Sequence, residues 1–271
     1  MELSERSSMG QSVRISHHEN QLAEKQKSFE LQQPLMEQIY KDGFAGYVET
    51  LPNLPEAFDL AKHRLDNHSA CICCMDEGTP WGVHAAGSGL LLSAEEFEDY
   101  THMAKPDAIS SHAGCGAGKI YCQQHGLPEG NSDQIARQWA EATAKKYGLP
   151  HVHIPMEEMQ RPPDFHVARV CYYDGTGRLN NDPAVGLPSG FVVSRSHLGE
   201  ARGLEEVKVA AEIIFGQHGF GELLTKDQPF VVAAVASDNF QLQQMIEELA
   251  GLEHPYVDRL KIDGFLAKLP K

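Results

Sequence analysis

Short apolar runs alternate along this chain with stretches of helical period. Ser69-Ala-Cys-Ile-Cys-Cys74 is a strand-like run that stops at Asp76-Glu-Gly-Thr-Pro80. Gly82 to Leu92 has the small, apolar character of a second strand with a glycine kink. Ser93-Ala-Glu-Glu96 carries the capping-box signature and starts a helix. Ala108 to Ser111 reads as a strand ending at His112. Ser132 caps a helix with Ile135, Trp139, Thr143 and Tyr147 at helical spacing, and Gly148 with Pro150 stops it. His151 to Pro155 and Val167 to Tyr173 read as strands, the second closed by the turn Asp174-Gly-Thr-Gly177. Leu204, Val207, Ala210, Ala211, Ile214 and Phe215 mark an amphipathic helix ending at Gly216. Phe230 to Ala236 is a continuous apolar run, the mark of a strand buried on both faces. Leu242, Met245, Ile246 and Leu249 mark a further helix.

Strands alternating with helices predict an α/β fold with a parallel-rich central sheet flanked by helices. Residues 1–45 are polar and glutamine-rich. Leu22, Phe29, Leu31, Leu35, Ile39 and Tyr40 give them a thin apolar stripe, which predicts a helical arm ending near Gly43, frayed or laid on a partner. Ala57 to Leu65 reads as another helix. The segment 175–203 is rich in glycine, proline and asparagine and reads as a long loop. The organisation expected is an arm (1–45), a core (46–180) and a C-terminal α/β extension packed on it (181–271). The sequence displays no internal repeat.

The net charge of −15 repels phosphate backbones and anionic lipid, so neither nucleic acid nor a membrane surface is the expected partner. No run of about 18 apolar residues predicts a membrane span. The N-terminus lacks the apolar core of a secretory signal. A cytoplasmic location is therefore expected, where the six cysteines serve as metal ligands or reactive thiols rather than disulfides.

Cys74-Met-Asp76 closes one predicted strand and His112-Ala-Gly-Cys115 closes a later one. In an open parallel sheet, ligands gather at the carboxyl ends of strands, so two neighbouring ends can bring Cys74, His112 and Cys115 to one point. Two thiolates and an imidazole suit zinc and leave a fourth tetrahedral position for water or a carboxylate. The competing readings are plain. Cysteines are often buried small hydrophobes, and Cys71, Cys73 and Cys74 together could serve thiol redox chemistry. His151 and His153 share a strand face but read as packing or surface residues. Gly114-Cys-Gly-Ala-Gly-Lys119 lacks the spacing and hydroxyl of a phosphate loop.

These motifs resemble those of the β-class carbonic anhydrases. That family has Cys-x-Asp-x-Arg, then Arg-Asn-Ala-Gly-Asn, then Gly-His-x-x-Cys-Gly. This chain has Cys74-Met-Asp76-Glu-Gly78, then His84-Ala-Ala86-Gly87-Ser88, then Ser111-His112-Ala-Gly-Cys115-Gly116. Tyr173-Asp174-Gly-Thr176-Gly177-Arg-Leu179 is similar to the family's late strand and turn, so the resemblance spans roughly residues 50–180. It implies a divergent member with zinc on Cys74, His112 and Cys115, and with Asp76 as the catalytic residue that orients the zinc-bound water. It implies a lyase hydrating carbon dioxide to bicarbonate, or acting on a similar small heterocumulene, and a homodimer or higher homo-oligomer.

The chain departs from the pattern where it matters. The arginine that holds the family's aspartate is Gly78 here, and the second-strand arginine and asparagine are His84 and Ala85. Without the arginine, Asp76 is free to swing onto the metal and close the site. A cation from elsewhere would prevent that, with Arg64, Lys119, Arg137 or a partner chain's basic group as candidates. A zinc-binding relative with a structural or regulatory role is the alternative function.

Overall fold

A computed structural model describes residues 2–59, 70–79, 82–180 and 183–268, with the side chains of 2–18 excepted. Among the described residues are eight strands and six α-helices. The first sheet is built from β1 (Cys71–Cys73), β2 (Val83–His84), β3 (Ala108–His112) and β4 (His151–Ile154) in the order β2-β1-β3-β4. The second is built from β5 (Val170–Asp174), β6 (Gly190–Val193), β7 (Phe230–Ala236) and β8 (Leu260–Leu266) in the order β6-β5-β7-β8. Every pairing in both sheets is parallel. The α/β expectation holds, with two parallel sheets in place of one. No described helix is long and apolar enough to cross a membrane.

Helices fill the crossovers that parallel strands require. α2 (Ala94–Ala104) joins β2 to β3, and α3 (Gly116–Gln124) with α4 (Ser132–Tyr147) joins β3 to β4. α5 (Arg195–Phe215) joins β6 to β7, and α6 (Asn239–Ala250) joins β7 to β8. The Ser93 capping box forms as read: Ser93 accepts from the Glu96 N–H, and Glu96 accepts from the Ser93 N–H. Gly148 ends α4 in the left-handed region at φ 67°.

Alternation along the second sheet divides its core. Val170, Tyr172, Val192, Val231, Ala233 and Phe265 pack with Met36, Ile39, Phe44 and Tyr47 of α1 (Glu2–Val48). Cys171, Tyr173, Phe191, Val193, Val232 and Ala234 pack with the buried residues of α5 and α6. All seven residues of β7 are buried, as its unbroken apolar run implies.

Several elements differ from the sequence reading. The arm runs on to Val48, with Gly43 non-helical at φ 75°, and the Phe44 N–H donates to Asp263. Part of its described surface packs on the same chain: Gln32 donates to the Val167 carbonyl and Tyr40 to that of Pro229. Only Val83–His84 of the expected 82–92 strand pairs, because positive φ at Gly87 and Ser88 turns the chain into a short 3-10 segment. The expected 175–203 loop contains β6 and the start of α5. The helix expected at Ala57–Leu65 begins in a 3-10 turn, Leu54–Phe58, and its remainder falls largely outside the described residues.

The sheets meet where β2 faces β6. Ser194 donates its N–H to the His84 carbonyl (3.1 Å), and the Ser194 hydroxyl accepts the His84 N–H (2.8 Å). Val192 donates to the Met75 carbonyl at 2.9 Å. β5, read from sequence as part of the core, pairs with β6 and β7, so the boundary between sheets falls before Val170.

Candidate metal centre

The adjacent parallel strands β1 and β3 deliver the three predicted ligands. Cys74 follows β1, His112 ends β3, and Cys115 is the N-cap residue of α3. One ligand atom from each lies within 4.8 Å of the others, and all three residues are buried. His112 Nδ1 donates to the Ala113 carbonyl at 2.9 Å, which leaves the lone pair of Nε2 free. That Nε2 is buried and has no hydrogen-bond partner. An orphaned imidazole nitrogen facing two thiols fits a soft-to-borderline cation such as zinc.

Electrostatics favour a cation here. Burial alone would lower the His112 pKa, but Cys74 beside it and the Asp76 carboxylate outweigh it and raise it to about 9. Burial, then Cys115 beside it, pushes the Cys74 thiol well up. A dication held there would reverse that cost, because a coordinating thiol is deprotonated outright. The Gly87 N–H donates to Cys74 Sγ at 3.2 Å and helps place the sulfur. Asp133 accepts from the Gly114 and Cys115 N–H groups (2.9 and 3.1 Å), fixing the turn that carries the second thiol.

Asp76 is 4% exposed and is gripped from the far side by Arg161. Arg161 Nε lies 2.9 Å from Oδ1 and 3.1 Å from Oδ2, and the Gly78 N–H donates to Oδ1 at 3.0 Å. Burial disfavours the carboxylate charge, but Arg161, then His166 and His112, hold its pKa well below the usual range. Oδ2 stays turned toward the ligands, 3.9 Å from His112 Nε2.

The replacement cation is thus Arg161, which the sequence reading missed. Arg137 pairs with Glu141 instead, Lys119 lines a neighbouring cavity, and Arg64 lies outside the described residues. The chain matches no family model, no curated protein and no solved structure. The site therefore rests on its own geometry.

Two glycines explain why the arginine sits so far away in sequence. A Cβ on Gly78 would stand 2.9 Å from Met159 Cε and 3.0 Å from the Gln160 backbone nitrogen. The segment leading to Arg161 fills the space a side chain at position 78 would need. Gly114, at φ 71°, would clash with Met156 and crowd the Arg161 guanidinium, which donates to the Gly114 carbonyl at 2.8 Å.

A second buried group adjoins the first. His166 Nδ1 lies 2.9 Å from Glu77 Oε2 and 3.6 Å from Asp76 Oδ2, while the Val167 N–H donates to Glu77 Oε1. Asp76, Glu77 and His166 could themselves hold a cation, but each already has a protein partner. Beyond Gly116, a cavity of about 440 Å³ is lined by Lys119, Gln123, Glu212, Ile213 and His218. His151 and His153 instead flank the Ser111 hydroxyl, 2.9 Å from each ring. All six cysteines are free and buried, so Cys71 and Cys74 form no disulfide.

Proposed function

We propose that Cys74, His112 and Cys115 hold a zinc ion and that the chain hydrates carbon dioxide, or hydrolyses a similar small heterocumulene. The observation that carries this reading is the Asp76–Arg161 pair beside the ligand cluster. Zinc would supply Lewis acidity, which lowers the pKa of a coordinated water to where a nucleophile exists near neutral pH. Arg161 holds both oxygens of Asp76 and the Gly78 N–H holds Oδ1, so the carboxylate is restrained from capping the cation. Oδ2 takes one bond from Arg161 and keeps a second lone pair, which can accept from a proton-bearing oxygen and aim that oxygen at an electrophilic carbon. Burial of all four residues limits bulk water and suits a small uncharged substrate. Six free buried thiols accord with the reducing cytoplasm expected of this chain.

A second reading, zinc in a structural role, draws on that same burial. Stopped-flow hydration assays on protein of confirmed zinc content separate the two. Turnover lost on Cys115→Ser supports the enzyme, and a fully loaded but inert protein supports the structural role.

A further inference from the structure

The two sheets repeat one plan. Each is wholly parallel, and the orders β2-β1-β3-β4 and β6-β5-β7-β8 become identical when β1 to β4 are laid on β5 to β8. The helical crossovers fall at the same places in both.

The match extends to single residues. A Cβ on Gly82 would stand 2.4 Å from the Cys71 carbonyl oxygen, and one on Gly190 would stand 2.5 Å from that of Val170. These glycines set Cys71 against Val170. The strand registers agree: Ile72 pairs with Val83, the residue after Gly82, and Val170 pairs with Gly190 itself. Cys71 pairs with Ala108 as Val170 pairs with Val231. α3 begins at Gly116 and α6 at Asn239, equally far beyond Ala108 and Val231. Cys115 and Asp238 are then equivalent, and both are N-cap residues.

On this register the ligands Cys74, His112 and Cys115 fall on Tyr173, Val235 and Asp238. The second set is chemically spent. The Tyr173 hydroxyl donates to Glu248 at 3.0 Å, and Arg195, in the place of Gly87, pairs with the same carboxylate at 2.6 Å. Val235 is buried and apolar, and Asp238 accepts the Gln241 N–H as a helix cap.

The second half still touches the segments that carry the first half's ligands. Val192 donates to Met75, next to Cys74. Ser194 bonds both backbone groups of His84, whose ring bonds the Cys74 carbonyl. Glu206 accepts the Ala86 N–H, next to Gly87. Ile213 closes over Gly116, and Phe191 packs on His166 at 5.4 Å between ring centroids.

We propose that this chain is an internal duplication. Its second half, 170–266, is a copy of the first, 71–154, that has given up its metal ligands and serves as the fixed partner walling the first copy's metal centre. The proposal rests on the metal reading of Cys74, His112 and Cys115, and its test reads the two separately.

The variant Tyr173→Cys/Val235→His/Asp238→Cys regrafts the ligands onto the second half of the full chain. Zinc per chain is measured in it and in the wild type by elemental analysis, with folding followed by circular dichroism. The result expected is one zinc in the wild type and two in the variant. One zinc in both, with the variant folded, overturns the duplication and leaves the metal reading standing. None in the wild type overturns the metal reading and the claim of lost ligands with it. If the variant does not fold, a crystal structure of the wild type carries the test. The strands of the two halves must overlay with Cys115 on Asp238, and an overlay displaced by a residue or more overturns the proposal.

Discussion

Arg161 Nε reaches both carboxylate oxygens of Asp76, at 2.9 and 3.1 Å, across a sequence separation of 85 residues. Both side chains are almost wholly buried. Removing one partner of such a pair leaves an uncompensated charge, at a cost of about 3–5 kcal/mol. Arg161→Ala is therefore expected to lower stability by that amount in denaturant unfolding. Asp76→Asn/Arg161→Ala should lose less than the two single changes combined. Additive losses would mean that the pair is not coupled.

Position 78 gives an independent check on this arrangement. A methyl there meets Met159 and the backbone of Gln160, so Gly78→Ala is expected to cost about 1–3 kcal/mol through overpacking. Gly78→Arg should not restore an Arg161→Ala protein, because the 156–161 segment occupies the room the side chain needs. Recovery of wild-type stability in that double variant would refute the steric argument.

Zinc binding should depend on each predicted ligand. Cys115→Ser and His112→Ala are each expected to lower zinc content to a small fraction of one per chain after dialysis against a weak chelator. Cys122→Ser should leave it unchanged, since Cys122 lies outside the Cys74, His112 and Cys115 group. Retention of stoichiometric zinc by Cys115→Ser would exclude that sulfur from the site.

The second half supplies a pH signature. Burial raises the Glu248 pKa, but Arg195 and Tyr173 outweigh it, so the folded value lies below the ordinary 4.5. A depressed carboxylate contributes stability that is present above the unfolded pKa and is lost as the pH falls through the folded one. Wild type should therefore lose stability on acidification below about pH 4.5 more steeply than Glu248→Gln. Parallel stability–pH curves for the two proteins would contradict this assignment.

Much of this was legible in the sequence where local chemistry decides. Alternating periods gave α/β, the capping box gave α2, and strand-end motifs, read with the family resemblance, brought Cys74, His112 and Cys115 together. Arg161 was hidden because Met156 to Asp164 reads as loop, and only the folded chain carries it back to Asp76. β6 was lost among the turn-forming residues around Pro188, although Gly190-Phe-Val-Val193 is itself a short strand signal. The repeated plan was invisible because equivalent positions share strand register rather than residue type: Cys74 answers to Tyr173, and His112 to Val235. Registers and close-approach glycines preserve a relation that side chains no longer display.

The most direct test of the central claim is stopped-flow carbon dioxide hydration on protein of confirmed zinc content, at near-neutral and alkaline pH. The account predicts turnover that Cys115→Ser abolishes and that Arg161→Ala reduces by about 100-fold, or some 2.7 kcal/mol in barrier, as Asp76 loses its restraint. A zinc-loaded wild type with no hydration at either pH would contradict it.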